Sequence, residues 1–190
     1  TENYYLMVFN SLLVSITNFL FRYLIIFFCD KNYAGILFFA FSLGSLPANL
    51  FSFVFSTSII RQRKVPNLII FSIIIYLLIT IYIFYLDTTN YKNSFLFNYV
   101  DSTHLNLFYI SMLGGSLMSL ALFLKNRIFL LEKFLSKLLK YEFLYSFFVL
   151  LTIPIIYYSL SIEYFGYLFL INSIFGLIIF ATLHKRTFLK

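Results

Sequence analysis

Long apolar runs alternate with short polar intervals along the chain. Six of these runs are long enough to cross a bilayer as helices, which takes about 20 mostly apolar residues. Runs such as 68–71 and 73–75 do not alternate polar and apolar positions as barrel strands would. The pattern predicts an all-α integral membrane protein with six transmembrane helices. The predicted spans cover residues 5–28, 34–60, 68–86, 107–124, 143–160 and 164–183.

The basic residues are divided unequally between the intervals that separate the spans. Numbered from the N-terminus, the odd intervals hold 11 of the 14 Lys and Arg residues, whereas the even ones hold only Lys31 and Lys92. The remaining one, Arg22, lies inside a span. Basic residues accumulate on the cytoplasmic side of membrane proteins. The division therefore predicts that both termini lie in the cytoplasm.

The composition excludes the alternatives to a membrane protein. Of the 190 residues, 62% are hydrophobic and 11% charged, whereas soluble domains average about 25% charged residues. Disordered chains have the opposite composition. The net charge of +7 would suggest nucleic acid as a partner of a soluble protein, but here the lipid bilayer explains it and no nucleic acid is expected. The single Cys29 excludes an internal disulfide.

The interval 125–142 has a pattern of its own. Its apolar positions form one stripe and three lysines form another, which predicts a basic amphipathic cytoplasmic connection at the membrane surface, or the first turns of the fifth span. The apolar stripe comprises Leu130, Leu131, Phe134, Leu135, Leu138 and Leu139, and the basic stripe comprises Lys133, Lys137 and Lys140.

Catalytic and cofactor-binding motifs are missing from the sequence. It has no nucleophile elbow, no zinc-protease motif and no phosphate-binding or dinucleotide-binding glycine pattern. We therefore expect no enzyme activity, no catalytic residue, no cofactor and no metal. Asp87, Asp101 and His104 share one interval and are compatible with a small acid/base site, but an ordinary solvated loop explains them as well.

The first span carries a polar stripe. Ser11, Ser15, Asn18 and Arg22 fall within an arc of about 60° on a helix. Arg22 lies about 9 Å from the predicted outer end of the span. An arginine facing lipid at that depth is costly, and ionisable residues inside membranes mark functional sites by default. We therefore expect Arg22 to face the bundle interior or a hydrated cavity.

The second span carries a similar stripe. It contains Ser42, Ser45, Asn49, Ser52 and Ser56, which cover an arc of about 80°. Two neighbouring polar stripes predict a shared hydrophilic cavity, although Ser and Asn also serve simply to pack helices together. The predicted substrate-cavity residues are Arg22, Asn18, Ser15, Asn49, Ser45 and Ser52.

Small residues form ridges on two of the later spans. One ridge consists of Ser111, Gly115 and Ser119, with Gly114 beside it, and the other of Gly166, Ser173 and Gly176. Such ridges allow close approach of helices in lipid. We expect them to be packing surfaces and not ligand sites.

Several features of the chain occur together in one family of membrane transporters. They are Arg22 near the outer end of the first span, Ala34-Gly35 and Leu46-Pro47 in the second, and Pro154, Gly166 and the final Lys185-Arg186. In these features, and above all over residues 10–62, the chain resembles the polysaccharide (O-antigen type) flippases of the multidrug/oligosaccharidyl-lipid/polysaccharide exporter superfamily.

The resemblance implies a function and a partner. Such flippases move a lipid-linked oligosaccharide across the bacterial inner membrane by alternating access between two six-helix bundles. We therefore expect residues 1–190, a single six-helix bundle, to be the C-terminal half of a longer transporter that works with a second six-helix bundle. The resemblance assigns Arg22 to the anionic part of the substrate, with Asn18 and Asn49 as polar neighbours.

Two other functions remain open at this point. One is a membrane-embedded polysaccharide polymerase or glycosyltransferase, which needs several charged groups outside the membrane to activate a hydroxyl. The predicted outer intervals contain few charges and no arginine, which disfavours it. The other is a non-catalytic membrane subunit without a substrate, which the packing ridges favour and the Arg22 stripe disfavours.

Overall fold

The protein is all-helical over the residues that the computed structural model describes. These residues are 2–61, 74, 78, 81–82, 102–129, 134–160 and 164–188, with side chains described over 4–46, 74, 78, 81–82, 105–129, 134–160 and 164–186. The long helices are α1 (Glu2–Phe28), α2 (Lys31–Arg61), α3 (Ser102–Phe129), α4 (Leu135–Ser159) and α5 (Phe165–Phe188). The predicted all-α class is confirmed for this part of the chain.

Four of these helices, α1, α3, α4 and α5, are long and apolar enough to cross a membrane. Many of their large apolar side chains are exposed, among them Phe19, Phe147 and Ile178. Such a surface is compatible with a multi-pass protein embedded in lipid. The predicted third span, 68–86, lies outside the described residues, except for four helical and exposed positions. They are Ile74, Leu78, Ile81 and Tyr82.

Three helices form one layer of the bundle, with α3 packed between α2 and α5. The rings of Phe39 and Phe108 lie 6.3 Å apart, and the Ser116 hydroxyl donates to the Gly44 carbonyl over 3.2 Å farther along both helices. Helices α2 and α3 therefore run in the same direction. Along α3 and α5, Leu107 lies against Gly166, and Arg127 contacts His184 near the other end of both helices. Helix α5 therefore also runs in this direction, and all three helices are parallel.

The other two helices, α1 and α4, form a pair that packs beside this layer. Phe28 and Tyr157 have ring centroids 4.4 Å apart, near the C-terminal end of each helix. Helix α4 is antiparallel to α5, because Phe148 stacks on Phe175 and Tyr145 lies against Phe180. In contrast, α1 and α2 contact each other little beyond their short connection, which leaves space between the pair and the layer.

The two ends of the bundle differ in charge. We call the end with the α1–α2 and α4–α5 connections the turn end, and the opposite end, where α3 ends and α4 begins, the basic end. The last turns of α3 and α5 contribute Arg127, Lys185 and Arg186 to the basic end. Cations at helix C-termini also interact favourably with the helix dipole. The charge asymmetry predicted from the sequence is thus present in the described helices.

Glycines set the close spacing within the layer. Gly44 lies directly against the Met112 carbonyl and Gly115 against the Phe41 carbonyl, and neither position leaves room for a β-carbon. Gly114 faces the α5 backbone in the same manner at Phe169. Because lipid supplies no hydrophobic force between helices, such close packing is a main source of their association. The predicted packing role of the α3 ridge is confirmed.

The interval 125–142 is helical at both ends. Helix α3 continues to Phe129 and α4 begins at Leu135, so the described helices leave only about five residues between them. Residues Leu135–Lys140 form the first turns of α4. As a consequence, Lys125 and Glu142 lie within helices.

Candidate functional site

A cavity of about 530 Å³ separates the α1/α4 pair from the α2/α3/α5 layer, and all five helices contribute to its wall. It is elongated along the bundle, because its lining extends from Phe169 near the turn end to Lys125 near the basic end. Arg22, Asn18 and Ser42 line it and are also exposed. The cavity therefore opens to the surroundings where α1 and α2 diverge.

The predicted site residues fall into three groups. Arg22, Asn18 and Ser45 line the cavity, together with Ser42 of the second stripe. Ser15 is exposed and is not part of the described wall. Asn49 and Ser52 lie on the α2 backbone, but their side chains are outside the described residues.

Three aromatic rings line the cavity beside Arg22, at its turn end. Phe21, Phe38 and Phe169 form a cluster in which each pair of centroids lies 5.5–6.4 Å apart in edge-to-face geometry. The Arg22 guanidinium carbon lies 6.0 Å from the centre of the Phe38 ring. Cation–π attraction of this kind is stronger where water is scarce. The guanidinium is exposed beside this ring, and within the described residues no acceptor binds its N–H donors, which can therefore bind an anion.

A buried ion pair lies at the other end of the cavity. The Lys125 Nζ atom of α3 is 2.8 Å from the Glu142 Oε2 atom of α4, and the side chains are only 8% and 3% exposed. Both residues line the cavity. The Lys125 ammonium also lies 5.7 Å from the centre of the Phe180 ring.

An amide with an unused donor lines the wall on α5. Asn172 is 3% exposed and accepts a hydrogen bond from the Thr152 hydroxyl over 3.1 Å at its Oδ1 atom. Its Nδ2 group has no hydrogen-bond partner among the described residues. A buried donor without a partner is costly. Because the Thr152 hydroxyl also contacts the Val149 carbonyl over 2.9 Å, either orientation of the Asn172 amide leaves one of its two polar atoms for a hydrogen bond to a bound molecule.

Lys125, Glu142 and Asn172 are not among the site residues predicted from the sequence. The predicted spans end at 124 and begin again at 143, which places Lys125 and Glu142 outside the membrane. The feature of the sequence that could have indicated Glu142 is that it is the lone acidic residue among the apolar residues that follow Lys140. For Asn172, the signal was an isolated amide in an apolar run, but its orientation depends on tertiary packing.

The described residues contain no group of three or more potential metal ligands among His, Cys, Asp and Glu. His184 lies with its Nε2 atom 3.0 Å from Nη1 of Arg127, at the basic end. The possible acid/base group of Asp87, Asp101 and His104 lies outside the residues whose side chains are described. The cavity itself has a largely apolar wall into which a few polar and charged side chains are set.

The chain was compared with family models, curated proteins and solved structures. No family model, no curated protein and no solved structure matches the chain.

Proposed function

We propose that this chain is a six-helix bundle of a transporter that moves a lipid-linked oligosaccharide across the bacterial inner membrane by alternating access, together with a second six-helix bundle. The observation that carries the proposal is the cavity between the two helix groups, with Arg22 at its wall. A guanidinium binds phosphate oxygens through paired N–H donors. Asn18 and Asn172 provide amide groups that suit sugar hydroxyls.

The arrangement of the described helices supports the proposed span at 68–86, which would be the third along the chain. Because α2 and α3 are parallel, α2 ends at the basic end and α3 begins at the turn end. A span at 68–86 accounts for the return of the chain. Repeat-built transporters place their binding sites at the interface between repeats, and this cavity opens to the surroundings between α1 and α2, where a second bundle can cover it.

The proposed activity is tested with the full-length protein that contains this chain. It is reconstituted in vesicles with a fluorescent polyprenyl-diphosphate oligosaccharide, and a membrane-impermeant quencher reports the label that reaches the outer leaflet. We expect the protein to accelerate this transfer above the rate in protein-free vesicles. Equal acceleration of an uncharged polyprenyl glycoside would contradict a role for Arg22, and no acceleration would contradict the function.

The proposed orientation places the basic end in the cytoplasm, with both termini there. Cys29, which is the single cysteine, is buried, and burial raises the pKa of its thiol to about 11. A Cys29→Ala variant keeps a small apolar side chain in this buried position and removes the single thiol of the chain. In it, Asn32→Cys at the turn end and Ser136→Cys at the basic end introduce thiols at exposed positions.

We expect an impermeant maleimide to label the Asn32→Cys protein in intact spheroplasts, and the Ser136→Cys protein only after the membrane is permeabilised. The opposite order of labelling would invert the proposed topology. Labelling of both proteins in intact spheroplasts would place the two ends of the bundle on the same side and would contradict a transmembrane arrangement.

A further inference from the structure

The ion pair of Lys125 and Glu142 lies at the end of the cavity nearer the basic end. It joins α3 to α4, two helices that otherwise contact each other little. The Tyr145 hydroxyl, 3.6 Å from the Met118 sulfur, is a second and weaker link between these helices. Because α3 belongs to the layer and α4 to the pair, the ion pair connects the two groups across the cavity.

A buried ion pair contributes little to the stability of a protein. The free-energy cost of removing both charges from water offsets much of the attraction between them, and apolar residues of similar size often stabilise a protein as well or better. The Glu142 Oε2 atom has no hydrogen-bond donor within the described residues that would supplement the ammonium. Lys125 thus holds a single carboxylate that a more highly charged anion can replace.

We propose that Lys125 is an anion-binding site and that Glu142 occupies it while substrate is absent. This inference rests on the proposed function, because the competing anion is the diphosphate of the lipid-linked substrate. When the diphosphate binds the Lys125 ammonium, it displaces the Glu142 carboxylate. The ionic link between α3 and α4 is then released, and the diphosphate is held at the end of the cavity nearer the basic end.

The cavity then has two anion sites in series. Arg22 lies six residues before the end of α1 and Asn172 seven residues after the start of α5, so both lie roughly 10 Å from the turn end at the rise of an α-helix. Glu142 lies 17 residues before the end of α4, or roughly 25 Å from the turn end. A diphosphate released from Lys125 moves about 15 Å along the cavity to reach Arg22 and Asn172.

The test compares binding of farnesyl diphosphate with binding of farnesol to the purified full-length protein by calorimetry. We expect the natural protein to prefer the diphosphate. The Glu142→Gln variant keeps the shape of the side chain but removes the competing charge, and we expect it to bind farnesyl diphosphate about tenfold more tightly. We expect the Lys125→Met/Glu142→Met variant, which keeps the packing without the charges, to bind it about tenfold more weakly at an unchanged unfolding temperature.

The outcomes separate this inference from the proposed function. If the natural protein prefers the diphosphate but neither variant changes its affinity, Lys125 is not an anion site and the proposed function remains. A Lys125→Met/Glu142→Met protein that unfolds at a lower temperature yet keeps its affinity would show a purely structural ion pair. If the natural protein binds farnesol and farnesyl diphosphate equally, both proposals fail.

Discussion

Replacing Arg22 with Ala is expected to abolish transport of the lipid-linked oligosaccharide and to leave membrane insertion intact. The guanidinium lines the cavity beside the Phe38 ring, so its removal takes away the cation at the turn end without opening the packed core. A hydrogen bond to a charged group contributes about 1.5–3 kcal/mol. This corresponds to a loss of roughly 10- to 100-fold in affinity for a diphosphate.

The measurement is growth and polymer production of a flippase-null strain that carries the full-length variant, supported by the vesicle assay. Arg22→Lys keeps the charge but not the paired donors and is expected to retain part of the activity. Lys31→Ala serves as the matched control, because Lys31 is an exposed cation near the same end and does not line the cavity. Full complementation by Arg22→Ala, at normal protein levels, would refute the assigned role.

The largest effect on stability is expected from a single methyl group between α2 and α3. In Gly44→Ala the new β-carbon meets the Met112 carbonyl oxygen, and in Gly115→Ala it meets the Phe41 carbonyl oxygen. Backbone atoms cannot turn aside as a flexible side chain can, so the helices must separate. Overpacking typically costs about 1–3 kcal/mol, and for a chain of this size each kcal/mol lowers the unfolding temperature by roughly 2–4 °C.

Gly35→Ala is the matched control on the same helix, since no atom lies within 4 Å of a β-carbon at that position. Alanine is favoured over glycine in a helix by up to about 1 kcal/mol, so this variant should unfold at the same or a slightly higher temperature. The three proteins are compared by thermal unfolding in detergent, followed by circular dichroism. Equal melting of all three would mean that α2 and α3 do not approach each other as described.

The small-residue ridge illustrates what could be predicted from the chain. Its spacing indicated a packing surface, and Gly115 packs against α2 as expected. The spacing did not indicate which helix would be the neighbour. That Gly114 approaches α5 while Gly115 approaches α2 depends on α3 lying between them, which is a property of the whole bundle.

The two polar stripes contribute only some of their residues to the cavity wall. Arg22, Asn18 and Ser45 line the cavity, whereas the neighbouring Ser15 does not. An arc of 60° on a helix is wide enough that one edge of it reaches the cavity while the other edge remains outside. The angle at which α1 leans away from α2 decides this, and no local pattern encodes that angle.

The sequence by itself determined that the described part of the chain is helical and suited to a membrane. Long apolar runs with few charges favour lipid, and in lipid a helix is one of the few structures that pair all backbone hydrogen-bonding groups. The sequence also determined which end of the bundle is basic. Only the tertiary structure decided that Lys125 and Glu142 meet, since the two residues are brought together by the packing of α3 and α4 on α5. A charge near a span boundary has the same local pattern whether it faces water or a partner, and only the neighbouring helix distinguishes the two.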